Sequence, residues 1–146
     1  EFVYRKVYPP RAAKGGDREA NLSRDVVNIY FNNTNFIKAI GRDYGFKSYF
    51  FWQPTIYSKQ NLSSTEREIK TTWEETHKGR TEFHEASNLK MYHRIISSNI
   101  SDISYIADIF DETNRTIFMD DAHISEEANK IISNKIADVL VPILEG

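Results

Sequence analysis

A chain of 146 residues, 40% hydrophobic and 27% charged, has the size and composition of one globular domain, here expected over residues 1–146. A formal net charge of −2 gives no reason to expect a nucleic-acid or anionic-membrane partner, and no apolar run is long enough to span a bilayer. The absence of cysteine excludes disulfides and thiolate metal sites.

Residues 1–20 carry Pro9-Pro10 and Gly15-Gly16 among charges, which predicts a loop or arm. Because the sequence opens Glu1-Phe2-Val3 without a methionine, it is expected to be part of a longer protein. From about Leu22 to Tyr44, Val26, Tyr30, Ile37, Ile40 and Tyr44 recur at helical spacing, and Gly45 is placed as the stop. Phe46 to Trp52 then predicts a strand apolar on both faces, ended by Gln53-Pro54 because proline cannot continue a central strand.

Ser63 to Glu66 is a capping box that opens a helix through Ile69 and Trp73 to about Lys78, where Gly79 breaks it. A second helix is expected from about Thr81 to Ser98, with Phe83, Leu89, Tyr92 and Ile96 facing inward. Asn99 to Ser104 reads as extended, Tyr105 to Phe110 as a helical turn and Thr116 to Met119 as a further strand. From Ser125 to Leu140, Ala128, Ile131, Ile132, Ile136, Val139 and Leu140 form a clear amphipathic stripe. This order predicts an α/β fold, a three-layer α/β/α sandwich around a mostly parallel sheet. Sites in such sheets form at the carboxyl ends of strands, where Gln53, Trp52, Asp120 and His123 would lie.

Asp120 and His123 carry the chemistry. A histidine can act as a general base near neutral pH, and a carboxylate that accepts from one ring nitrogen fixes the tautomer it needs. Asp120 lies three residues before His123, within reach across a tight turn, whereas Asp121 would point the other way if the strand pleat continued. His77 and His84, seven apart, could share a face, but no ligand set completes a metal site there, and none is expected. Trp52 and Gln53 are the candidate substrate-contacting residues.

The segment Phe118-Met119-Asp120-Asp121-Ala122-His123-Ile124-Ser125-Glu126-Glu127-Ala128-Asn129 resembles the final block of the SGNH hydrolases, also called GDSL esterases or lipases. In that block an aspartate, two residues and a histidine precede a helix that opens with a Gly-Asn pair. Asn129 matches, and Ala128 stands for the glycine. Tyr44-Gly45-Phe46, the apolar strand ending at Gln53-Pro54, and the segments Ser63 to Glu68 and Ile100 to Ser104 are similar to the family's layout, so the resemblance spans about residues 21–141.

The resemblance implies a flavodoxin-like sandwich, no cofactor, and ester hydrolysis by a Ser-His-Asp triad with His123 as base and Asp120 as its partner. The ester would be an O-acetyl group on a glycan, a lipid ester or a small acyl ester, and the resemblance leans toward a secreted or extracytoplasmic location.

The family's nucleophile lies in a Gly-Asp-Ser block. Gly16-Asp17-Arg18 begins like one, but arginine stands at the serine position, and the Gly-x-Asn-Asp block is missing. The serine is therefore expected from an N-terminal part outside this chain, including as a separate chain after proteolysis. The sheet should then present an exposed or partner-covered edge. The alternative is a non-catalytic flavodoxin-like binding or scaffold domain.

Overall fold

Helix dominates the chain. The computed structural model describes residues 15–98 and 100–145. In order they form α1 (Gly15–Tyr44), β1 (Phe50–Trp52), α2 (Ser64–Thr76), α3 (Arg80–Ser98), β2 (Ile103–Tyr105) and α4 (Glu126–Glu145). β1 and β2 pair in parallel, Phe50 opposite Ile103 and Trp52 opposite Tyr105. Each strand keeps one edge without a ladder partner among the described residues.

The expected three-layer α/β/α sandwich is overturned: the described residues hold four helices and one sheet of two short strands. The physical reason is clearest at Thr116 to Met119, the expected further strand. The backbone amides of Ile117 and Phe118 both donate to one carboxylate oxygen of Glu66, at 2.8 and 3.1 Å, so neither is free to join a ladder. The segment instead turns back on itself. Phe118 bridges Ile124 in antiparallel fashion, with Met119 N donating to His123 O and Ser125 N to Ile117 O. Asp120 and His123 therefore sit in a bridge-closed loop and not at the carboxyl end of a sheet strand.

Other boundaries also differ. Residues 1–14 of the expected arm lie outside the described residues, but from Gly15 onward the chain is already helical. A glycine pair reads as a breaker, yet near a helix start it costs only the propensity difference of about 1 kcal/mol per residue. The expected strand from Phe46 shortens to Phe50–Trp52. Gly45 leaves α1 with φ +74°, and Phe46 N then donates back to Gly41 O at 2.9 Å. Gly41 permits this return, since a Cβ there would come within 2.6 Å of the Phe46 carbonyl oxygen.

The inner face of α3 is not the expected one. Ser87, Asn88, Met91 and Ile95 are buried, whereas Leu89 and Ile96 are 58% and 63% exposed and Tyr92 is also exposed. Polar partners set this phase: Lys90 reaches Ser23 Oγ at 2.9 Å and Arg94 reaches Asn28 Oδ1 at 2.7 Å, turning α3 so that Met91 and Ile95 meet α1. On α4 only Ala128 is fully buried, and Ile132 packs half-covered against the core.

Two apolar clusters result. Val27 and Phe31 of α1 pack with Met91 and Ile95 of α3 and Ile103 of β2. Ile56, Tyr57, Phe110, Ile117, Phe118 and Ala128 form the second, which underlies the Asp120–His123 loop. Burying a side chain such as Phe118 contributes about 1.5–3 kcal/mol, so this cluster is a firm base for the loop. Among the described residues no helix is long and apolar enough to cross a membrane.

Candidate functional site

The loop around Asp120 is built from its own carboxylate. Asp120 Oδ1 accepts from the backbone amides of Ala122 and His123, at 2.9 and 2.7 Å, which folds the chain over the side chain. Asp120 Oδ2 lies 2.6 Å from His123 Nδ1. An ionised carboxylate can only accept, so the ring carries its proton on Nδ1 and leaves Nε2 as the basic atom. The His123 side chain is 79% exposed and that of Asp120 38%.

The electrostatics follow from these bonds. The backbone amide of His123, then that of Ala122 and then the imidazole hold the Asp120 carboxyl down to about 2. Its hydrogen bond to Asp120, followed by the charge on that carboxylate, raises the His123 imidazole above its ordinary value.

Asp121 has a different task. Its carboxylate pairs with Arg80, whose Nε also donates to Tyr57 Oη at 3.0 Å, and its carbonyl accepts from Ile56 N at 3.1 Å. The two adjacent aspartates thus face opposite duties. One orients the histidine, and the other ties the loop to α3 and to the segment after β1.

A second carboxylate supports the loop from beneath. Glu66, at the third position of α2, completes the capping box with Ser63 and accepts from Ser63 N at 2.8 Å. The same side chain takes Lys59 Nζ at 2.6 Å and the two amides of Ile117 and Phe118. Lys59 also donates to Arg115 O at 2.6 Å. Both side chains are fully buried. Burial pushes the Glu66 carboxyl up, but Lys59 and the three amides outweigh it and leave it below its ordinary value. The capping box was legible in the sequence; the second use of its glutamate was not, because its partners lie 51 and 52 residues on.

Beside His123 an open groove of about 380 Å³ is lined by Phe51, Gln53, Pro54, Met119, Ile124 and Asn129, among others. Among the described residues no serine lines it. Gln53 therefore shares the groove with His123, while Trp52 does not. Trp52 points into a second cleft, where its indole Nε1 donates to Asn88 Oδ1 at 2.8 Å. His77 and His84 do not share a site. His77 tilts against Trp73, and His84 stacks on Tyr57 with ring centres 4.4 Å apart. Among the described residues no group of three or more histidine, aspartate or glutamate side chains is arranged to hold a metal ion.

Comparison with protein-family models, with curated proteins and with solved structures found no match to this chain.

Proposed function

We propose that this chain supplies the acid–base half of a serine-type ester hydrolase: His123 is the general base, Asp120 its orienting partner, and the nucleophilic serine comes from outside these residues. The observation that carries the reading is the Asp120 Oδ2–His123 Nδ1 bond at 2.6 Å on an imidazole that is otherwise exposed. Its resemblance to the Asp-x-x-His block of SGNH hydrolases supports the same roles.

In the proposed reaction the serine hydroxyl attacks the ester carbonyl carbon while His123 Nε2 takes the hydroxyl proton. Asp120 stabilises the imidazolium that forms and does not itself become protonated. The tetrahedral intermediate collapses as His123 returns the proton to the departing alkoxide. Water then attacks the acyl-serine, His123 again taking and returning a proton, to release the acid. Such positioned proton transfer contributes on the order of 10²- to 10⁴-fold. The groove with Gln53 and Phe51 would receive the ester. The external serine is supported by the lining of that groove, in which histidine is present and serine is not.

The test is hydrolysis of p-nitrophenyl acetate by protein that carries the serine-bearing segment, with His123→Ala as the control. Loss of turnover in the variant supports the assignment, and unchanged turnover ends it. Full activity in residues 1–146 alone would remove the need for an external serine.

A further inference from the structure

Arg80 has no part in the proton transfer above. It opens α3, where the positive end of the helix dipole favours acids and not a guanidinium. Other contacts hold it there. Its Nε donates to Tyr57 Oη at 3.0 Å, and its guanidinium lies 4.8 Å from the centre of the Trp73 ring and 6.0 Å from that of Tyr57. Of the charged groups around it, Glu74 is occupied by the amides of Gly79 and Thr81, and Lys70 by Glu85. His84 is neutral at physiological pH, because burial, and then the Arg80 charge, hold its imidazole down to about 4. Asp121 is the carboxylate that Arg80 pairs with.

Asp121 stands two residues before His123, inside the same bridge-closed loop. Its backbone is fixed without Arg80. Its carbonyl accepts from Ile56 N at 3.1 Å, and the Asp120 turn and the Phe118–Ile124 bridge close the loop around it. Arg80 thus adds little to the path of the chain. What it adds is charge. An unpaired Asp121 carboxylate would put a second negative charge near the imidazole, and a negative neighbour favours the protonated ring. A ring protonated on both nitrogens has no acceptor left for a hydroxyl proton. Among the described residues the groove lining carries no charged group besides His123, so Asp120 and Asp121 are the charges that bear on it.

We infer that Arg80 is a positioning residue for the general base, acting through Asp121: it ties up that carboxylate and cancels its charge, so that Asp120 alone governs the imidazole. Two adjacent aspartates beside one histidine need such a cation, and α3 supplies it from 41 residues upstream. The effect on ester turnover rests on the hydrolase reading; the effect on the His123 ring does not.

The experiment is a double-mutant cycle read by NMR titration of the His123 imidazole in residues 1–146. Arg80→Gln removes the charge but keeps a hydrogen-bond donor, and should raise the His123 midpoint by about 0.3 pH unit. Arg80→Lys keeps the charge and should hold the midpoint at its native value. Asp121→Asn removes the opposite charge and should lower the midpoint, and the two substitutions combined should return it to the native value. A merely structural latch would shift both single variants in one direction and leave the double variant shifted. An unmoved midpoint in Arg80→Gln, a shift that persists in the double variant, or single shifts of one sign would overturn the proposal. Thermal melting checks folding, and if Arg80→Gln does not fold, the sign of the Asp121→Asn shift decides. In protein that carries the serine, the pH midpoint of turnover should rise in Arg80→Gln together with that of the ring. Absent turnover with the ring titrating as expected would end the hydrolase reading alone, and turnover with an unmoved ring would end the Arg80 proposal alone.

Discussion

Two acid–base pairs stand near each other in this chain, and both have a closest approach of 2.6 Å. Lys59–Glu66 is fully buried, whereas His123 and Asp120 are 79% and 38% exposed. Distance alone does not separate them; remaining capacity does. Glu66 spends its oxygens on Lys59, Ser63 N, Ile117 N and Phe118 N, and Lys59 spends a further proton on Arg115 O. Nothing is left over for a substrate. His123 spends one nitrogen on Asp120 and keeps the other at the surface, as a base must. The buried pair holds the segment and the exposed pair can react.

The largest effect that would break this comparison lies in the buried pair. Glu66→Ala strands the Lys59 ammonium and three amides, so unfolding in urea should show a loss of about 3–5 kcal/mol. A loss below about 1 kcal/mol would mean that the pair does not anchor the loop. The pH dependence has a definite sign. The folded pKa of Glu66 is lowered, so its contribution is fully present above the unfolded carboxylate range and is lost as pH falls through the folded value.

Next in size is the expected effect on turnover. In protein that contains the serine, Asp120→Asn should lower kcat on the order of 10³- to 10⁴-fold by losing the tautomer that exposes Nε2. A tenfold change or less would assign Asp120 to the turn alone. A smaller effect is the titration itself. His123 is raised by Asp120, so its imidazole resonances should titrate above the ordinary pKa near 6.5, and turnover should rise with pH through that point. Asp120→Asn should bring the midpoint back toward 6.5; an unmoved midpoint would show that Asp120 is not the cause.

The smallest expected effect sharpens the contrast most. His123→Ala should leave the urea midpoint of unfolding where it is, as is usual for an exposed side chain away from caps and core. A clear fall in that midpoint would make His123 structural like Glu66.

What the sequence made legible was local. The α2 cap, the Gly45 stop, the α4 helix itself and the three-residue reach from Asp120 to His123 each depend on neighbours a few positions apart. What it concealed was long-range. The strand expected at Thr116 to Met119 had the right apolar residues, but Glu66 had already claimed its amides from 51 residues away. The phase of α3 does not follow its apolar pattern, because Ser87 and Asn88, polar in composition, are buried, while Leu89 and Ile96 are not. The cleft at Asn88 was invisible for the same reason: a buried amide has no spacing signature. Trp52 does line a cavity, but not the one that holds His123.

The bridge-closed loop also implies an order of assembly. Its internal bonds join residues two to eight positions apart in the 117–125 stretch, and such contacts close quickly at small entropic cost. Docking that loop onto Glu66 requires closure over 51 residues, after α2 has formed its cap. The acid and the histidine can therefore find each other early, in a chain still largely open. Only the last long-range closure sets the finished hairpin on its base.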